Sequence, residues 1–303
     1  MSDSTNLDGM AEMGRGQNDL YTSIEIDRGF VRVAEGQIHF RTAGPAVTDR
    51  IPIVLFHSSP ASSLTLKGLI ERFGRDRRVY AIDTLGNGDS APPSSEHPDI
   101  AYFADAHLRA MDALGLEMVD LYGIHTGGCI AVEIAIREPK RVRSVILDGL
   151  SFYSDTERAD LLERYAPAVP LDQSGSQINW FWHFVRDGYL FWPWYERNPT
   201  HARTDGLPPA GDLHDKLVEV LKAARTYHLS YNAAIAWSKK DRLPLLRVRT
   251  LLAYAEDDAF LKYRDPVVAL MPKAEAVITE GVKTAASAEK TTRRFKQFLD
   301  AIG

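Results

Sequence analysis

The chain has 303 residues, 45% hydrophobic and 25% charged, with 36 basic against 41 acidic side chains and a net charge of −5. Such a composition supports a sizeable core and excludes disorder as the main state. With no long basic run, neither nucleic acid nor an anionic membrane surface is an expected partner, so a small molecule is; a homodimer is neither required nor excluded.

Residues 1–22 are rich in Ser, Asp, Asn and Gly without apolar periodicity and read as a flexible leader. They lack the charged and apolar regions of a secretory signal, and Cys129, the single cysteine, has no partner for a disulfide, so a cytoplasmic location is expected. No stretch approaches the about 20 consecutive apolar residues that span a bilayer. Short apolar runs bounded by turn residues then predict strands at 30–33, 38–41, 51–56, 79–82, 119–122, 145–147, 250–254 and 276–279. Helical stripes alternate with them, as in Phe103, Leu108, Met111 and Leu114, or Ile130, Ile134 and Ala135. That alternation predicts an α/β fold with a doubly wound, mostly parallel sheet.

The rhythm stops at 151–245. This segment has helical stretches and holds Trp180, Trp182, Trp192 and Trp194, interleaved with Phe181, Phe184, Tyr189, Phe191 and Tyr195. It reads as a helical, aromatic-rich cap over a core built from 23–150 and 246–303. Some of its rings should roof a pocket and favour an apolar substrate, with Trp182 and Trp192 as the candidates.

Clusters of polar residues follow several strands, where ligands bind in open α/β sheets. The 51–56 run ends in His57-Ser58-Ser59-Pro60, and the 79–82 run ends in Asp83-Thr84-Leu85-Gly86-Asn87-Gly88-Asp89-Ser90. Gly86-x-Gly88-x-x-Ala91 superficially meets a dinucleotide fingerprint, but Pro92 and Pro93 prevent the helix such a loop must open. After the 119–122 run, Gly123-Ile124-His125-Thr126-Gly127-Gly128 leads straight into a helix, the setting of a nucleophile elbow with His125 at its centre.

In these parts and their order the chain resembles the α/β-hydrolase fold family from about residue 28 onward. His57-Ser58-Ser59-Pro60 is similar to its oxyanion loop, Asp83 to Ser90 to its D-x-x-G-x-G-x-S turn, and Ala255-Glu256-Asp257-Asp258 to its G-x-x-D. The G-x-H-T-G elbow resembles a variant group, because the family usually carries Ser, Cys or Asp where this chain has His125. The family's partner histidine is also missing: none of the nine histidines follows Asp258, and the corresponding place reads Glu280-Gly281-Val282-Lys283.

An imidazole at the elbow projects farther than a serine hydroxyl. The resemblance therefore implies a His125–Asp258 dyad without a covalent nucleophile, with Asp257 as the reserve carboxylate and the backbone N–H groups of Ser59 and Thr126 as an oxyanion hole. His57 is expected to support its loop. Ser58 belongs to the same loop, and both residues are candidates for contact with the substrate. Lys283 reads as a solvated loop residue and Cys129 as a small core residue. Neither paired cysteines nor H-x-x-x-H is present, so no metal and no cofactor are expected. The function expected is hydrolysis, or a related lyase reaction, of a small, largely apolar ester, lactone or other carbonyl compound. The alternatives are a non-catalytic receptor or carrier on the same fold, and an esterase whose nucleophile has moved to Ser58 or Ser59.

Overall fold

The computed structural model describes residues 24–204 and 206–301; the predicted leader lies outside them. Eight strands form one sheet: β1 (Asp27–Val33), β2 (Gly36–Ala43), β3 (Ile53–Phe56), β4 (Val79–Ile82), β5 (Val119–Ile124), β6 (Val142–Asp148), β7 (Arg249–Ala255) and β8 (Glu275–Thr279). Their order is β1-β2-β4-β3-β5-β6-β7-β8. The two N-terminal strands pair antiparallel, β2 also runs antiparallel to β4, and the remaining neighbours are parallel. The central strands are buried on both faces, which is why they read as unbroken apolar runs in the sequence.

The strand β6 starts three residues before the predicted run because its polar beginning is internally satisfied. Ser144 Oγ donates to Asp120 Oδ1 at 2.6 Å, and Arg143 Nε donates to the same carboxylate at 3.0 Å. A buried polar residue with its partner fits a strand as well as an apolar one does, but it interrupts the hydrophobic signature.

Helices cover both faces. On one side α2 (Ile100–Ala113) and α3 (Thr126–Arg137) pack on Val54, Phe56, Leu121 and Leu147; on the other α1 (Lys67–Phe73) and the last helix pack on Ile53, Leu55, Tyr122 and Ile146. Between β6 and β7 run α4 (Asp155–Arg164), α5 (Ser176–Leu190), α6 (Ala210–Lys222), α7 (Tyr227–Ala236) and α8 (Lys239–Arg242). This insertion has its own aromatic core of Tyr165, Phe181, Phe184, Trp194 and Tyr227. After β7 come α9 (Arg264–Leu270) and α10 (Ala285–Asp300). Among the described residues no helix is long and apolar enough to cross a membrane.

Candidate active site

The turn from β5 into α3 places one side chain above the carboxyl ends of the strands. A Cβ on Gly123 would lie 2.3 Å from the carbonyl oxygen of Gly127, and one on Gly127 would lie 2.2 Å from that of Phe56. Only bare backbone allows strand and helix to meet this closely. The residue held at the apex is His125, whose φ of 50° is the one positive value outside glycine among the described residues. Non-glycine residues in this region are rare and cluster at functional sites.

The ring of His125 reaches the loop after β7. Its Nε2 lies 3.1 Å from Asp258 Oδ2. The other carboxylate oxygen, Oδ1, accepts the backbone N–H of Phe260 at 2.8 Å, which fixes the carboxylate plane. The Phe260 ring packs 4.6 Å from the imidazole, centroid to centroid. Burial would push the Asp258 carboxyl up, but the imidazole, the Phe260 N–H and Arg203 outweigh it and hold the group below its ordinary range. Ionised Asp258 can only accept, so the hydrogen of this bond is carried by Nε2 of the imidazole. The side chain of His125 is 33% exposed, and that exposure is to the cavity it lines.

Asp257, one residue earlier, also lines the cavity but pairs with Lys283 Nζ at 2.7 Å. Lys283 is therefore half-exposed, ion-paired and part of the cavity wall, where the sequence suggests a freely solvated lysine.

Two features of the site escape the motif reading. Gly149, after β6, has φ +64°, and a Cβ there would stand 2.2 Å from Asp258 Oδ2 and 2.7 Å from His125 Nε2. Beside it, Asp148 accepts the Tyr122 hydroxyl at 2.8 Å. Burial raises the Asp148 carboxyl to about 6; Asp258 and Asp257 add to the rise, and Tyr122 and His125 oppose it. The available signal is the position itself, an Asp-Gly at the carboxyl end of a parallel strand.

The loop after β3 closes the opposite wall. His57 is 1% exposed and wholly engaged: Thr84 N–H donates to its Nε2 at 2.9 Å, and its Nδ1 lies 2.9 Å from the Ser58 carbonyl. Burial lowers its pKa, so it is a neutral strut beneath the loop and does not line the cavity. Ser58 and Ser59 do line it, and Ser59 Oγ donates to Ser230 Oγ at 2.7 Å. Among the described residues no acceptor takes the backbone N–H of Ser59 or of Thr126. The turn after β4 is structural: Asp83 accepts from Ser63 N at 2.7 Å and Asp89 N at 3.1 Å and meets His39 Nδ1 at 2.8 Å.

The cavity, about 410 Å³, thus gathers His125, Asp258, Ser58, Ser59, Thr126 and Trp192. Trp192 is wedged edge-on against Phe260, with centroids 5.0 Å apart. Trp182, partly buried, packs against the core of the insertion and is not part of the lining. Cys129 is buried, as its helix position predicts, but it also borders the cavity; burial raises its thiol pKa and keeps it protonated.

A sequence profile described as alpha/beta hydrolase fold matches residues 51–267. Among curated proteins, the chain is 36% identical over 126 residues to 2-hydroxy-6-oxo-2,4-heptadienoate hydrolase of Pseudomonas putida, covering 39% of this chain and 45% of that one. It is 31% identical over 137 residues to the carboxylesterase YbfK of Bacillus subtilis, covering 44% and 46%. The matches therefore span a little under half the length of these relatives. Among solved structures, the enol-lactonase from Burkholderia xenovorans superposes with a TM-score of 0.68 at 19% identity, over 89% of this chain and 99% of that one, which speaks for a shared fold.

Proposed function

The chain belongs to the α/β-hydrolase fold family, and from that premise we propose that it is a hydrolase in which a His125–Asp258 dyad does the work of the usual triad without a covalent nucleophile. The substrate is a small, largely apolar ester, lactone or related carbonyl compound, and no cofactor takes part. The helical insertion caps the site, with Trp192 in its roof. Nδ1 of His125 takes a proton from water as the water oxygen bonds to the carbonyl carbon. The negative charge that develops on the carbonyl oxygen is met by the free N–H groups of Ser59 and Thr126. The imidazolium, stabilised by Asp258, then returns its proton to the leaving oxygen as the carbon–oxygen bond breaks, giving acid and alcohol. One observation carries this reading: the imidazole occupies the elbow and already holds the carboxylate at 3.1 Å. The named activities of the relatives, ester and dienoate hydrolysis, agree with it.

Hydrolysis of p-nitrophenyl butyrate tests the proposal. The expected result is turnover without a stoichiometric burst of nitrophenol, no adduct with a fluorophosphonate, and a loss on the order of 10²- to 10⁴-fold in His125→Ala. A covalent adduct on Ser58 or Ser59 would establish a displaced nucleophile instead. Ser59 is a poor candidate because its hydroxyl proton is committed to Ser230. Binding without chemical change of any ester or lactone would establish a receptor.

A further inference from the structure

The cavity is lined by four cationic side chains: Arg203, Lys216, Lys239 and Lys283. Three are engaged. Lys239 donates to the Ala234 carbonyl at 2.6 Å, Lys283 pairs with Asp257, and Arg203 has partners of its own. Lys216 is different: among the described residues its ammonium has no hydrogen-bond acceptor and no ion-pair partner. Burial pushes its pKa down to about 8, opposed by the charge of nearby Glu219.

Its place in the cavity follows from the helix that carries it. Lys216, Glu219 and Lys222 recur every three residues on one face of α6. Glu219 takes the Ser62 hydroxyl, and Lys222 reaches Asp89 at 3.2 Å, so this face lies along the loops after β3 and β4. The charge of Lys216 is felt at His57, directly beneath Ser58. Glu219 cannot serve as its counter-ion fully, because that carboxylate is already shared between Ser62 and Lys222, whose Nζ lies 3.4 Å away. Ser58, on the adjoining wall, likewise has a hydroxyl that bonds to nothing among the described residues.

An ammonium with no acceptor in hydrogen-bond reach and a free hydroxyl, both lining the same cavity, form an anion site. We propose that Lys216, assisted by the Ser58 hydroxyl, binds a carboxylate carried by the substrate, so that the natural substrate is an apolar carbonyl compound with an acidic group. This rests on the hydrolase reading only for the word substrate; the anion site stands on the cavity alone. The rings of Trp192, Tyr165, Tyr231 and Phe260, which line the same cavity, would hold its apolar body.

Calorimetry with 4-phenylbutyrate and its neutral isostere 4-phenylbutanamide tests the site without requiring turnover. Wild-type protein should bind the carboxylate at least about tenfold more tightly than the amide, the worth of one charge-assisted hydrogen bond. Lys216→Met should abolish that preference by weakening the carboxylate alone, and Lys216→Arg should keep it. The wild-type comparison involves no variant, so it decides the matter even if a substitution unfolds the protein. Equal affinity for the two probes, detectable binding of neither, or a preference that survives in a folded Lys216→Met would each overturn the proposal. In His125→Ala the preference should persist. Persistence there together with no hydrolysis of any ester would remove the catalytic reading and leave the anion site standing.

Discussion

Gly149→Ala probes the dyad from a residue that touches it without belonging to it. The added methyl would stand 2.2 Å from Asp258 Oδ2 and 2.7 Å from His125 Nε2, so one or both groups must retreat. Asp258 cannot swing freely, because the Phe260 N–H holds its other oxygen at 2.8 Å. Restoring an ordinary contact requires a displacement of about 1 Å, enough to lengthen the 3.1 Å hydrogen bond beyond use and to cost on the order of 10²-fold in turnover. The substitution also strains the backbone, since φ is +64° there, by about 1–2 kcal/mol. Gly115→Ala supplies the control: its φ of +68° imposes the same strain, and nothing lies within 4 Å of the new methyl. Both variants should lose about 2–4 °C of Tm per kcal/mol of strain, while only Gly149→Ala should lose hydrolysis of p-nitrophenyl butyrate. If Gly149→Ala stays within about threefold of wild type in turnover, at a Tm equal to that of Gly115→Ala, the His125–Asp258 contact is not the source of activity.

Asp258→Asn should keep the fold and lower turnover by roughly 10⁴-fold, as the equivalent change does in serine triads, because an amide no longer fixes which nitrogen bears the proton. Asp257→Asn should leave turnover nearly intact and lose only the Lys283 pair; the reverse pattern would move the catalytic carboxylate one residue. Asp148 has a carboxyl raised to about 6 in the folded chain against 3.8 in the unfolded one, so its contribution to stability is present below pH 3.8 and is lost as pH rises through about 6. Asp148→Asn should therefore melt above wild type at pH 8 and with little difference near pH 3.5; an equal gap at both pH values in thermal unfolding would show that Asp148 is not titrating as described.

How much of this was legible in the sequence depends on whether a residue's neighbours in the fold are also its neighbours in the chain. The tight turn at His125 was readable because Gly123, His125 and Gly127 act through one continuous stretch, and the strands were readable because burial on both faces writes an apolar run. Asp258 was reachable through its position after β7, since a strand end in a parallel sheet fixes where a side chain is displayed. Gly149 was not, because its necessity comes from two side chains 24 and 109 residues away in sequence, and nothing local records that a methyl there would collide with them. The aromatic insertion shows the same limit in another form. Trp182 and Trp192 are equivalent by composition and both pack against the insertion's core, yet only the second, in the chain beyond α5, also meets Phe260 and lines the cavity. Lys216 is the extreme case. In the sequence it is one lysine on an amphipathic helix, where solvent exposure is the ordinary reading; its meaning comes from its place on the cavity wall and from Lys222 and Ser62 sharing the Glu219 carboxylate beside it. A charge left over after its neighbours have paired is a property of the whole site.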